Sequence, residues 1–184
     1  IKSNMIRHRG IYKDTVYSPL PQEEYRLRPN VLIAMTLAPE LFNKEHAISY
    51  LRNVKKYLLH DKSIGVATLA QIHESLYSTY YDNDDDSDII RLAHGFSYHN
   101  GPEWVWLYGF YIAALVKFKG EHLKKEQVLA LVQEHSKTIE NHDWEGLPEL
   151  TNKNADYCHF SCQTQAWSIS SLILALEEIK KLKN

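Results

Sequence analysis

Cysteine is scarce in this 184-residue chain. Cys158 and Cys162 are too few for a disulfide framework, and a reducing compartment is the default expectation. Cys158-His159 and Cys162 have no second Cys/His pair at zinc spacing, so no metal site is assigned. No apolar run reaches the roughly 18 residues of a membrane span, and Ile1-Lys2-Ser3-Asn4-Met5 holds no apolar segment of signal-peptide type. An excess of one charge is also missing. The net charge of −2 supplies no field for nucleic acid or an anionic membrane, so neither is an expected partner. Sustained strand alternation is absent. What is present is a 44% hydrophobic, 24% charged chain, long enough for one domain with a real core. Aromatics are plentiful, with 12 Tyr, 5 Phe and 4 Trp, which suits sugar faces and a packed core alike. Ile1 does not look like a translation start, and the chain is expected to be a fragment of something longer.

The periodicity predicts an all-α fold. Residues 1–28 carry no sustained period and read as a long loop. Pro29 can open a helix, and Val31–Phe42 is apolar on nearly every side until Pro39. Lys44–Leu59 shows an apolar stripe (Ala47, Ile48, Leu51, Val54, Leu58) against a Lys/Arg/Asn face, the pattern of an outer helix. A short helix is expected around Asp88–His94. Glu103–Phe118 is apolar around most of its circumference, Leu123–Asn141 is amphipathic, and Gln163–Leu182 begins apolar all round and ends in lysines. Buried and outer helices thus alternate. Buried-to-outer links are short and outer-to-buried links long, which gathers the long loops at one face, where the inner helices begin.

That face holds the candidate residues. The stretch Trp144-Glu145-Gly146-Leu147-Pro148-Glu149 is punctuated by Gly and Pro. A carboxylate on a stiff loop beside an indole is what sugar hydrolysis needs of a base, so Glu149 is the candidate. The run Asp82–Asp88 fails the EF-hand pattern, because position 6 is Ser87 and position 12 is Ala93. It reads either as a solvated acidic loop or, at Asp82 and Asn83, as a holder of sugar hydroxyls. His99-Asn100-Gly101-Pro102-Glu103-Trp104 packs donors, acceptors and an indole onto a helix entrance. His99 and Trp104 are expected sugar contacts. Glu103 either joins them or complements the helix dipole. Arg28, before an apolar helix, forms an ion pair or clamps sugar hydroxyls.

These segments carry a resemblance. Arg9-Gly10-Ile11-Tyr12-Lys13-Asp14, Tyr25-Arg26-Leu27-Arg28-Pro29-Asn30, Ala38-Pro39-Glu40-Leu41-Phe42, Tyr81-Asp82-Asn83, Tyr98-His99-Asn100-Gly101-Pro102-Glu103-Trp104, Gly146-Leu147-Pro148-Glu149-Leu150-Thr151-Asn152 and Phe160-Ser161-Cys162-Gln163-Thr164-Gln165-Ala166-Trp167-Ser168 closely resemble the C-terminal glucosidase region of eukaryotic glycogen debranching enzymes. The resemblance runs over almost the whole chain. It implies an (α/α)6 toroid, of which five expected helices out of twelve make this the C-terminal half, a single incomplete domain. It implies amylo-α-1,6-glucosidase activity, the removal with inversion of the single α-1,6-linked glucose at a trimmed glycogen branch. Glu149 matches the family's general base. The general acid lies upstream, in the half without a counterpart here.

The resemblance further implies a cytoplasmic setting, no cofactor, and two partners: glycogen or another branched α-glucan, and the rest of the debranching chain. One departure stands out: the family's Thr-Leu-Asp-Pro is here Thr68-Leu69-Ala70-Gln71. The alternative function is a non-catalytic glycogen-binding or assembly fragment, inactive by itself.

Overall fold

The computed structural model describes residues 10–72, 76–82, 84 and 96–182, with the backbone of 5–6. The expected helix at Asp88–His94 lies outside the described residues. Eleven elements run in the order β1 (Met5–Ile6), β2 (Ile11–Tyr12), α1 (Val31–Leu37), α2 (Lys44–Tyr57), β3 (Val66–Ala67), β4 (Glu103–Trp104), α3 (Trp106–Lys119), α4 (Lys125–Leu129), α5 (Gln133–Asn141), β5 (Leu150–Thr151) and α6 (Ala166–Lys180) among the described residues. Helix is the bulk of the fold. The all-α expectation is corrected by a three-stranded antiparallel sheet in the order β3-β4-β5 and by the β1-β2 hairpin. Strands of two residues are too short to print an alternation in the sequence.

The helices follow from local chemistry. Asn43 caps α2 by accepting the His46 N–H at 3.1 Å, and Ala47, Tyr50, Leu51 and Val54 form its buried stripe. Pro39 ends α1 early, turning Pro39–Leu41 into a 3₁₀ turn rather than the helix expected to Phe42. The expected Leu123–Asn141 helix is broken by a 3₁₀ turn at Ala130–Val132. α3 starts at Trp106, since Glu103 and Trp104 are recruited to the sheet.

α3 is the hub: α6 packs along much of its length, with α1 and α2 also against it and α4 against α6. Gly109 makes the α3–α6 approach possible, because a Cβ there would stand 2.2 Å from the Ser171 carbonyl oxygen. α6 was expected to be apolar on all sides and buried at its start. Instead it buries one face through Ser168, Ser171, Leu172, Ala175 and Ile179, while Trp167 and Ile173 are exposed. No helix among the described residues is long and apolar enough to cross a membrane.

One buried group makes the fold sensitive to acid. His135 of α5 is fully buried, and its Nε2–H donates to the Ile64 carbonyl at 2.8 Å. Burial pushes its pKa down to about 4. The folded chain therefore holds the neutral ring, while the unfolded chain takes up a proton near pH 6.5. This stabilisation is complete above about pH 6.5 and is lost as pH falls toward 4, for a total of about 3 kcal/mol. Urea unfolding between pH 7 and pH 4.5 should show that slope in the wild type and a shallower one in His135→Gln.

Candidate active site

The loop between α5 and β5 is latched on both sides. The Glu149 N–H donates to the Cys162 carbonyl at 2.9 Å, and the Val105 N–H donates to the Glu149 carbonyl at 3.1 Å. The Gln165 N–H reaches the Leu147 carbonyl at 2.9 Å, and Ser168 Oγ reaches the Pro148 carbonyl at 2.8 Å. Glu149 is thus carried on backbone fixed to the beginnings of both α3 and α6. Gly146 lets the loop lie on Thr164, whose Oγ1 would be 2.4 Å from a Cβ at that position.

The carboxylate is half-buried and, among the described residues, held by two donors. Tyr98 Oη donates to Glu149 Oε1 at 2.8 Å and Gln165 Nε2 donates to the same oxygen at 3.0 Å. Neither bond engages Oε2. Burial, then the hydrogen bond to Glu149 and its charge, hold the Tyr98 phenol well above the usual tyrosine range. Tyr98 therefore stays a donor at any physiological pH.

Around Tyr98 the aromatics close up. Its ring lies 4.8 Å from Tyr81, 4.8 Å from His99 and 4.7 Å from Trp104. Trp104 is buried, donates its indole N–H to the Tyr98 carbonyl at 2.9 Å and stacks beneath His99 at 5.0 Å. His99 is itself exposed. Partial burial and the nearby Arg28 charge push its pKa below the usual imidazole value, against the pull of Glu149. Its ring is thus kept neutral, flat and backed by an indole, a surface that suits the C–H face of a sugar.

The other candidates are placed as follows. Arg28 donates to the carbonyls of Thr68, at 3.0 Å, and His99, and to Asn100 Oδ1 at 2.8 Å, with Asp14 3.7 Å away. It ties the 98–100 segment in place while lining a groove of about 540 Å³ that includes His99 and Asn100. Asp82 accepts the Tyr80 hydroxyl and the Asp84 N–H, each at 3.0 Å, and its charge and that of Glu149 both bear on Tyr81 and Cys158. Asn83 lies outside the described residues.

Glu103 is fully buried and surrounded by protein donors, so it lies off the groove. Trp144, the indole expected beside Glu149, is 68% exposed and lines a shallow groove with Tyr157 and Gln163; Trp104 is the indole in ring contact with Tyr98. Ala70, at the departure from the family pattern, is also fully buried, with its N–H on the Leu27 carbonyl at 3.1 Å. Sequence reasoning missed Tyr98 and Gln165 as the carboxylate's donors, although both fall inside motifs that carried the resemblance.

With this geometry in view, the relatives are informative. The family model described as amylo-alpha-1,6-glucosidase matches residues 3–174. The chain belongs to the amylo-alpha-1,6-glucosidase family. It is similar to the glycogen debranching enzyme of Saccharomyces cerevisiae, with 40% identity over 182 residues. That match takes in 91% of this chain but 12% of the yeast protein. The glucosidase-family segment therefore spans about an eighth of the length of that relative.

Proposed function

We propose that this chain supplies the general base of an inverting glucosidase that removes α-1,6-linked glucose from trimmed branches of glycogen. The observation that carries the reading is the double grip on Glu149 Oε1 by Tyr98 and Gln165. A base must be held in a fixed direction, and two donors on one oxygen fix the carboxylate while the other oxygen, which takes no bond from the described residues, is the one that faces water in this reading. Family membership and the similarity to the yeast debranching enzyme support the substrate class.

In this mechanism Glu149 is ionised. Its Oε2 takes a proton from a water on the ring face opposite the bond being cleaved, and the water oxygen bonds to the anomeric carbon. A second carboxylic acid, contributed from outside this chain, protonates the departing oxygen. The two carboxyls stand roughly 6.5–9.5 Å apart, the separation that leaves room for the water. His99 over Trp104 receives the sugar ring, Asp82 and Asn83 hold hydroxyls, and Arg28 shapes the rim by fixing the 98–100 segment. In the proposed (α/α)6 toroid α1, α3 and α6 are inner helices, while α2 and the α4–α5 pair are outer ones. The amphipathic pattern of α2 and the nearly complete burial of α3 support that assignment.

The test is the anomer released. Attack from the face opposite an α-linkage gives β-glucose first. Proton NMR of the complete enzyme acting on a singly branched dextrin should show β-glucose ahead of mutarotation, and α-glucose first would overturn the reading.

A further inference from the structure

Glu103 is a carboxylate at 0% exposure, one of the costliest groups to bury without partners. It has four. Oε1 accepts the His60 Nδ1–H at 2.6 Å and the Asn154 N–H at 3.0 Å; Oε2 accepts the Thr151 hydroxyl and the Ala155 N–H, each at 3.1 Å. The two backbone donors are unusual. Asn154 and Ala155 are consecutive non-glycine residues in the left-handed region, at φ 63° and 60°. L-residues reach that region at an energetic cost, and such backbone persists where surrounding structure over-determines it. Here the pair turns two successive N–H groups onto one anion, as backbone concavities do for bound phosphates.

The placement of this knot connects it to the site. β4 is the central strand. Glu103 pairs with Thr151 and Trp104 with Leu150, and the Val105 N–H takes the Glu149 carbonyl, so three consecutive rungs lead from Glu103 to Glu149. Alternation along the strand sends Trp104 toward Tyr98 and His99, and Glu103 the other way. A second route runs through Asn152, next to the knot, whose side chain takes the Tyr81 N–H at 2.9 Å; the Tyr81 ring packs on Tyr98, the donor to Glu149. His60 follows α2 and ties that helix to the same point.

We infer that Glu103 is a positioning residue: its buried carboxylate folds the 151–155 segment around itself and thereby fixes the strand rungs and the Tyr98 donor that aim Glu149. This rests on the reading of Glu149 as the base. It moves Glu103 from a sugar contact to the inner support of the sugar site, and no proton or bond to substrate passes through it.

The experiment is a double-mutant cycle in the complete enzyme, with glucose release from a branched dextrin as the readout. Glu103→Gln keeps the volume but removes the charge and one acceptor. It should lower kcat about 10- to 100-fold, the scale of a misplacement of about 1 Å, and shift KM less than about threefold. In a Glu149→Gln background the same substitution should cost less than about twofold, because the group it aims is already disabled. A defect that merely lowered the folded fraction would cut both backgrounds equally. Thr151→Val, which removes one donor and leaves the charge, should give about a threefold loss with the same pattern, and carries the test if Glu103→Gln does not fold. Losses that multiply in the double variant, or a Glu103→Gln enzyme within twofold of wild type, overturn the inference. If Glu149→Gln alone retains wild-type turnover, the base reading fails first, and the two failures are distinguished.

Discussion

Replacing Glu149 by Gln in the complete enzyme is expected to lower kcat at least about a hundredfold, with KM within about threefold of wild type. Positioned general-base catalysis contributes about 10²–10⁴ in rate, and an amide cannot take the proton. The substitution should leave the architecture alone. Glu149 Oε1 is the oxygen that Tyr98 and Gln165 grip, and a glutamine carbonyl accepts the same two bonds. The backbone latches to Cys162 and Val105 do not involve the side chain. The proposed substrate contacts at His99 and along the Arg28 groove should persist. Steady-state kinetics on a singly branched dextrin separates the outcomes, and near-normal turnover would remove Glu149 from the role.

The second large effect concerns the chain by itself. The 184 residues alone should release no measurable glucose from the same dextrin. Inversion needs an acid and a base acting on opposite sides of one bond, and a single carboxylate cannot do both. Loss of the acid alone removes a further factor of about 10²–10⁴. The structure also leaves apolar side chains of the helices exposed. Leu37 is 70% exposed, Ile173 54% and Trp167 47%. A groove of about 430 Å³ between α1, α3 and α6 is lined by Ile33, Trp106, Phe110, Trp167 and Leu174 along with two serines. An exposed apolar groove of that kind marks an interface or an association liability. The isolated chain should therefore bind a hydrophobic dye and self-associate. Both properties should fall when the remaining part of the proposed toroid is supplied in trans, with glucose release returning. Glucose release by the chain alone would overturn the division of acid and base.

The helices were legible to different degrees. α2 announced itself through a clean stripe and α3 through its unbroken apolarity, because the 3.6-residue period records burial directly. The ends were less legible. Glu103 and Trp104 read as the first turn of α3, since nothing local says that two residues will pair with segments near 67 and 151. That long-range pairing also decides the fate of Glu103, which sequence alone left between dipole complement and sugar contact. The start of α6 looked buried because Trp167 and Ile173 are apolar; apolarity gives the preference for an interior and not its presence in the chain at hand. Glu149 stood out through Pro148 and through the family resemblance. Tyr98 and Gln165 did not, because a tyrosine and a glutamine about 51 and 16 residues away in sequence have no period that ties them to a carboxylate.

The α3–α6 crossing has a consequence well away from the sugar. Gly109 touches Ser171, Ser171 Oγ donates to the Ser168 carbonyl at 3.1 Å, and Ser168 Oγ donates to the Pro148 carbonyl, one residue before Glu149. Tyr98 precedes one of these helices and Gln165 the other. The width of a single hydrogen atom at position 109 is thus the gauge against which the two donors to Glu149 are set, and the reach of the proposed site is calibrated by a residue with no side chain at all.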